Sequence, residues 1–398
     1  MYELRAVTPT SSARADQART ADARVAVTCP PAAYPAAAPR VATRLRDAER
    51  ASFLPKLALA AAVLTLCASL GLAWAQGVVG VKGYLLGQLA TLQAGADDLA
   101  ESAKAYYDLA AAAGFDYQAL AAGQQAAVAE ALTGARDGWL TASPAYESVE
   151  GIVAGVELMA QFDVDMDAGL SAEEGDEDLV SFDLTLPDGR VLVKPGNLFG
   201  VTESTLWATF DDFTTGVAFD IDGDGAIGFG DSLPEANVLL AASEALAAMA
   251  ADLTATAQTW EPTPADVFGA LVGNVPTVSE VFVARWRESR FVLGSATTMR
   301  DFGVISSLQD LNQNIASWRE LYREVSPLVA AADATADADI LAGLADLSAW
   351  ADEIATAEAD HTYTPEEADL IYDEGDRRAT AITGAIAQAA ALVGVEVE

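Results

Sequence analysis

The sequence predicts an all-α fold: a two-lobed, up-and-down helical bundle interrupted by a β-hairpin and acidic-loop insertion. Three observations predict it. Apolar residues recur at three- and four-residue steps through most of the chain beyond residue 80. Thr-Pro and Ser-Pro pairs stand where helices should begin. One stretch, 162–233, abandons that period for strand-like alternation and Asp-Gly turns.

The first 75 residues read as a leader. Leu57 to Leu72 is an uncharged apolar run of sixteen, preceded by Arg40, Arg44, Arg46, Arg50 and Lys56 and followed by Ala73-Trp74-Ala75. A basic segment, a short apolar core and an A-x-A site describe a secretory signal peptide cleaved near Ala75. The run is short for a spanning helix, which needs about 20 apolar residues, and an uncleaved anchor stays as the alternative. The preceding fifty residues, rich in Ala, Arg and Pro, read as disordered or as translated upstream sequence, with a true start nearer Leu54.

The 398 residues carry 59 acidic and 22 basic side chains, a formal charge of −37. The leader holds nine of the basic and five of the acidic residues, leaving 13 against 54 after its removal. Nucleic-acid binding is excluded, because phosphate recognition needs Lys and Arg in number. Such a surface concentrates cations. It is read either as adaptation to salt or as equipment for handling cations. Both cysteines, Cys29 and Cys67, lie in the leader, so the exported protein uses no disulfide. The single histidine, His361, removes most zinc enzymes and histidine-dependent hydrolases. It stands in a polar linker and reads as a surface residue.

An N-terminal helical lobe is expected over 76–161. Leu85, Leu89, Leu92, Ala96, Leu99, Ala103, Tyr106 and Ala110 form one face of a helix that Gly114 stops. A second helix spans Tyr117 to Thr141, and Ser143-Pro144 opens a third that ends near Gln161. The insert, 162–233, begins with an acidic loop from Asp163 to Asp178. A hairpin follows, 181–186 and 190–194, around Pro187-Asp188-Gly189, then a short helix over 202–210 and a second acidic loop. A C-terminal lobe, 234–398, holds helices from Pro234 to Trp260, from Pro264, from Thr297 to Arg323, from Asp337 to Glu358 and from Pro365 to Leu392. Trp139, Trp207, Trp260, Trp286, Trp318 and Trp350 are scattered along these helices and read as core.

The strongest local motif is Asp220-Ile-Asp222-Gly-Asp224-Gly-Ala226-Ile227-Gly-Phe-Gly-Asp231. Carboxylates at positions 1, 3, 5 and 12, a glycine at 6 and a β-branched residue at 8 reproduce an EF-hand calcium loop. The Ala226 carbonyl would supply position 7, and Ile227 would pin the loop to apolar neighbours. Asp231 replaces the usual bidentate Glu, so a structural calcium site of modest affinity is expected; an unliganded acidic turn is the alternative. A degenerate copy places Asp163, Asp165, Asp167 and Glu174 on the same four positions, with Ala168 at the glycine position. A solvated acidic loop is its bland reading.

Two stretches resemble a known family. Ala135-Arg136-x-x-Trp139 with Tyr146 and Glu150 is similar to the first-lobe helix pair of the imelysin family. Arg290-Phe291, Thr298-x-Arg300-Asp301, Leu311-Asn-Gln-Asn-Ile315 and Tyr322, with the closing run from Gly384 to Gly394, are similar to its second lobe. The resemblance spans about 80–398. It implies an exported, all-helical, two-lobed envelope protein. The family includes an insulin-cleaving peptidase, iron-regulated surface proteins and EfeO-type periplasmic partners of iron permeases. Its G-x-H-x-x-E metal motif matches Leu198-x-Gly200-x-x-Glu203 here, with glycine in place of histidine. The resemblance therefore implies an oxygen-only site built on Glu203, with Glu150, suited to hard ions.

The expected function is non-enzymatic metal-ion binding in iron or metal acquisition. Calcium would occupy the loop, iron or another transition metal the lobe site, and an envelope permease or other membrane protein would be the partner. The alternatives are an imelysin-type metallopeptidase and a calcium-stabilised envelope interaction module.

Overall fold

The computed structural model describes residues 78–175, 179–300 and 302–397. The apolar run of the leader, its A-x-A site, Cys29, Cys67, Asp178 and Asp301 lie outside the described residues. Within them the chain is a helical bundle carrying two small two-stranded sheets.

Helix α1, Val79–Ala112, buries the predicted stripe, with Leu85, Leu89, Leu92, Ala96, Leu99, Ala103, Tyr106 and Ala110 fully inaccessible. Gly114 ends it at φ 64°, where the Phe115 N–H bonds the Ala110 carbonyl at 2.8 Å. That left-handed turn closes a Schellman-type cap. The next two helices, α2 (Tyr117–Gly123) and α3 (Gln125–Glu147), replace the single helix expected there. Pro144 does not open a new helix. It lies inside α3, whose last turn continues three residues past it. The proline has no N–H to give the Leu140 carbonyl, and the helix continues without that one bond.

Gly95 and Gly138 let α1 and α3 touch backbone to backbone. A Cβ on Gly95 would stand 2.7 Å from the Ala142 nitrogen and 2.8 Å from the Gly138 carbonyl. No side chain fits between them.

Short helices α4 (Glu150–Gly155) and α5 (Ala160–Asp163) follow, and α5 runs directly into a π-helical turn, Val164–Ala168. The acidic stretch expected as a loop is thus helical at its start, and Asp163, Asp165 and Asp167 are buried rather than solvated. The hairpin is where the alternation puts it: β1 (Leu184–Thr185) pairs antiparallel with β2 (Val191–Leu192), Leu184 opposite Leu192. It rests on a small apolar cluster with Val201, Phe213, Val238 and Ala242, the helical support such a ribbon needs.

Helix α6, Leu198–Leu206, is buried at every residue and starts four residues before the expected position. Asn197 caps it, its Oδ1 accepting the Gly200 N–H at 2.7 Å. Strands β3 (Thr214–Ala218) and β4 (Ser232–Pro234) carry the second acidic loop as their connection.

Helix α7, Ala236–Thr259, follows the insert yet packs along α1. It is long and apolar enough to cross a membrane, and half of that apolar window is buried inside the protein. The remaining helices are α8 (Pro264–Asn274), α9 (Ala284–Glu288), α10 (Arg290–Leu293), α11 (Ser307–Ala332), α12 (Ala334–Glu358) and α13 (Pro365–Leu392). Capping boxes at Thr263/Asp266 and Thr364/Glu367 start α8 and α13 as their sequences imply. Helix α11 starts ten residues later than expected, capped by Ser306. The cause is Glu203. Its carboxylate accepts the N–H groups of Phe302, Gly303 and Val304 at 2.8–2.9 Å, so those residues bond to α6 instead of extending α11.

Trp139, Trp207, Trp260, Trp286 and Trp318 are buried and Trp350 is half-buried, as expected of core. His361 is half-exposed between α12 and α13, 3.4 Å from Glu367, a surface residue as read.

Candidate metal site

Helix ends concentrate carboxylates at one point of the core. Glu147 is the last residue of α3, Glu150 the first of α4, Asp163 the last of α5, and Asp167 sits in the π turn. Asp310, in the first turn of α11, joins them, and Glu203 comes from the middle of α6. Glu147, Asp163, Asp167, Glu203 and Asp310 are all buried. One carboxylate oxygen from each of Glu147, Glu150 and Asp167 lies within 4.8 Å of the others. Asn314 Nδ2 ties two of them, donating to Glu147 at 2.9 Å and to Glu150 at 2.6 Å. Tyr146 donates to Asp163 at 2.8 Å.

Four of these acids, Glu147, Asp167, Glu203 and Asp310, line a cavity of about 20 Å³ walled by Trp139, Phe199, Gly200 and Phe302. A volume of about 10–15 Å³ on this measure holds one water, so the space is ion-sized.

Burial and mutual repulsion push these acids upward. Burial first, then the charges of Asp167 and Asp163, raises Glu150 to about 8. Burial and Asp167 raise Asp163 to about 7. Glu147 and Asp310 are held well above the usual carboxylate range for the same reasons, burial foremost. Arg285 opposes the rise at Asp163 and Asp310. With so little positive charge nearby, the acids must keep protons or receive a cation. Oxygen donors of this kind suit hard ions such as calcium, magnesium or ferric iron. No imidazole is present, since the one histidine lies on the surface.

The structure sorts the residues singled out from sequence. Glu150 and Glu203 belong to this cluster. Both oxygens of Glu203, however, also hold the backbone of 302–304 in place. The degenerate calcium template is not a loop and does not converge. Asp163 and Asp167, four residues apart on one helical face, turn into the cluster. Asp165 turns away, accepting the Ser181 N–H and Oγ–H at 2.6 Å each. Glu174 accepts the Ser171 N–H at 2.9 Å and pairs with Arg300 at 3.2 Å. Helical packing overrode a spacing that a turn would have used differently.

Glu147 and Asp310 escaped the sequence reading. The signal for Glu147 was its spacing of three from Glu150, followed by Asp163 and Asp167 spaced by four. Nothing local marks Asp310, which arrives by tertiary packing alone.

The second acidic loop keeps three of its carboxylates together: Asp220, Asp222 and Asp224 offer oxygens within 4.8 Å of one another. Asp220 accepts the Gly223 and Gly225 N–H groups at 2.8 and 3.0 Å, and both glycines have positive φ. Asp231 does not join that trio. Its oxygens accept the Ile221 and Gly228 N–H groups at 3.2 and 2.8 Å, closing the loop as a backbone clamp. The Ala226 N–H bonds Asp224 at 2.7 Å. Ile227 is 61% exposed and pins nothing; Ile221, 3% exposed, does that instead. The loop is the tip of a strand pair, not a helix–loop–helix unit.

No curated protein matches the chain significantly. A family model described as imelysin, of the M75 peptidase family, matches residues 85–393. The match runs from the buried face of α1 to the end of α13 and takes in every carboxylate of the cluster. The chain belongs to the imelysin family.

Proposed function

We propose that this protein is an exported, non-enzymatic imelysin-family member that binds metal ions in iron or metal acquisition at the cell envelope. One observation carries the reading: five helical segments bring six carboxylates together in the core, and four of them, Glu147, Asp167, Glu203 and Asp310, line an ion-sized cavity. Burying that much negative charge costs several kcal/mol per ion unless it is compensated. A hard cation would supply the compensation, held by Glu147, Glu150, Asp167 and Asp310. Gly200 lines the cavity and offers no nitrogen, which leaves the donor set all oxygen. Asn314 orients Glu147 and Glu150 toward one another, as outer hydrogen bonds do at metal sites. A peptidase reading gains nothing from this geometry, because a space of about 20 Å³ admits an ion but not a peptide bond.

The loop at Asp220, Asp222 and Asp224 serves as a calcium site that stiffens the β3–β4 tip, with the Ala226 carbonyl as a further oxygen. An envelope permease or other membrane protein would receive or deliver the acquired ion. The test is element analysis of protein purified without chelator, followed by titration of stripped protein with calcium, manganese, ferrous and cupric ions. About one equivalent of a non-calcium metal, lost in Asp310→Asn but kept when the loop aspartates are changed to Asn, is expected. Calcium alone, bound only at the loop, would remove the acquisition role.

A further inference from the structure

An open pocket of about 400 Å³ lies where Phe229 of the second acidic loop meets Arg290 and residues 294–299. It falls within the size range of small-molecule sites and shares no lining residue with the carboxylate cavity. Among the described residues, no carboxylate lines it. Two other open pockets do carry carboxylates, Glu173 and Glu174 in one and Glu320 in another. Beyond the leader, acidic side chains outnumber basic ones 54 to 13. This pocket reverses that balance, with Arg290 as its one charged group among the described residues.

Two contacts fix Arg290. Its Nη1 donates to the Gly303 carbonyl at 3.0 Å, and its Cζ stands 3.5 Å from the centre of the Phe229 ring. Neither partner is charged. Arg287 pairs with Asp369 and Arg300 with Glu174, whereas Arg290 forms no ion pair with a described residue. Burial alone draws its guanidinium below the usual pKa, with no carboxylate charge opposing the shift. At Arg136 the charges of Asp231 and Asp222 oppose the same effect. The hydroxyls of Thr209 and Thr297 are engaged, donating to the Arg300 and Glu288 carbonyls. Ser295, exposed in the short turn Gly294–Ala296, has no hydrogen-bond partner among the described residues. Phe229 stays 45% exposed although Arg290 covers one face of its ring, and Met299 adds a second apolar surface.

We propose that this pocket binds a small monocarboxylate with an apolar body, its carboxylate on Arg290 and Ser295 and its body against Phe229 and Met299. With Nη1 on Gly303, the Nε–Nη2 edge of Arg290 is left to match a carboxylate through two parallel N–H bonds. The stack on Phe229 holds that edge in one orientation. One guanidinium offsets one negative charge. A phosphate monoester brings nearly two, and the second is opposed by the acidic excess of the whole molecule. A cation is repelled by Arg290, and a neutral analogue forgoes the charge-assisted bonds. The inference stands apart from the metal-binding reading, because the two sites have no residue in common.

The test is a ligand-observed NMR titration of the full exported chain with phenylacetate at pH 7.4 and about 150 mM salt. Phenylacetamide and phenyl phosphate are titrated in parallel. Wild-type protein is expected to bind phenylacetate with a Kd of ~1 mM or tighter, as suits a ligand of this size. Either analogue should bind about tenfold more weakly, the worth of one charge-assisted contact. Arg290→Gln should weaken phenylacetate binding by about the same factor, and Arg290→Lys should recover part of it. Near-ultraviolet circular dichroism checks that the aromatic packing survives. Ser295→Asp adds a carboxylate at an exposed position and leaves Arg290 in place, so it reads the charge of the pocket even if Arg290→Gln disturbs the fold. It should weaken binding about tenfold or more. A wild-type Kd above ~10 mM would overturn the proposal. So would either analogue binding as tightly as phenylacetate, or Ser295→Asp binding like wild type. Binding tightened about tenfold by Asp301→Asn would also overturn it, because Arg290 would then have its counter-charge within the chain. Phenylacetate binding should be the same with and without chelator. Loss with chelator would assign the carboxylate to a bound ion and end this inference, whereas binding that persists in a protein found to hold no metal would end only the metal reading.

Discussion

Neutralising one acid of the buried cluster should make the metal-free protein more stable, against the usual outcome of changing a core residue. Glu150 is the residue to change. Its rise from 4.5 to about 8 corresponds to ~5 kcal/mol above both values, and ~4 kcal/mol at pH 7.4, at about 1.4 kcal/mol per pH unit. The sign follows from linkage. A carboxyl whose folded value is raised favours folding fully below its unfolded value near 4.5, and that contribution is lost as pH climbs through about 8. Glu150→Gln removes the ionisable group while keeping an oxygen to accept from Asn314, whose Nδ2 lies 2.6 Å away. Its new amide group faces Glu147 and Asp167, both acceptors. Because neighbouring acids titrate together, about half the calculated gain is expected, ~2 kcal/mol. For a fold of about 320 residues that is ~3 °C in Tm. The assay is thermal unfolding with chelator at pH 5 and pH 8. Wild type should lose stability between these pH values and Glu150→Gln should lose less, so the gain appears at pH 8. Manganese at 100 times its Kd should raise the wild-type Tm by ~4 °C and the variant much less. A variant less stable than wild type at pH 8 with chelator would refute the reasoning. So would an undiminished response to manganese.

Glu203→Gln should behave in the opposite way, because both its oxygens accept backbone N–H groups. Turning one oxygen into a donor strands at least one buried N–H, and chemical denaturation should show a loss of ~2–4 kcal/mol. In the α1–α3 contact, Gly95→Val places a side chain against backbone 2.7 Å away; a loss of ~3 kcal/mol or more is expected, read by urea midpoint. Gly83 sits on the exposed face of α1 with nothing within 4 Å of an added Cβ, so Gly83→Ala should gain ~0.5–1 kcal/mol from helix propensity. Changing Asp220, Asp222 and Asp224 together to Asn should abolish any calcium-dependent rise in Tm and leave manganese binding at the core cluster intact, as calorimetric titration would show.

The helices were legible because their signals are local. The stripe on α1, the Thr-Pro-x-Asp and Thr-Pro-Glu-Glu starts of α8 and α13, and the Pro-Asp-Gly turn between β1 and β2 each depend on residues a few positions apart. The failures came where a distant group decided the outcome. Pro144 looks like a helix start, yet α3 carries through it to Glu147. Ten residues ahead of Ser306 have helical spacing, yet Glu203, about a hundred positions earlier, draws three of their N–H groups away. A carboxylate forming two or three charge-assisted bonds outweighs a turn of helix whose net stabilisation is small.

The site was half legible for a related reason. Sequence reading associates acidic residues with solvent, because a lone buried carboxylate is so costly. That prior assigned Asp163 to Asp167 to a loop and passed over Glu147 and Asp310. A buried cluster inverts the argument. Each added carboxylate raises the cost of all the others, so five helical segments that deliver acids to one point would be eliminated unless something offsets the charge. Protons offset it at low pH, as the upward displacement of Glu150 and Asp163 shows. As pH climbs through about 8 the Glu150 proton is lost, and under the metal-binding reading an ion that fits about 20 Å³ would take its place. The acidic surface and the acidic core therefore have different origins. The surface needs only water; the cluster behind Phe302 needs protons or a cation, and the stability measurements with and without manganese decide between them.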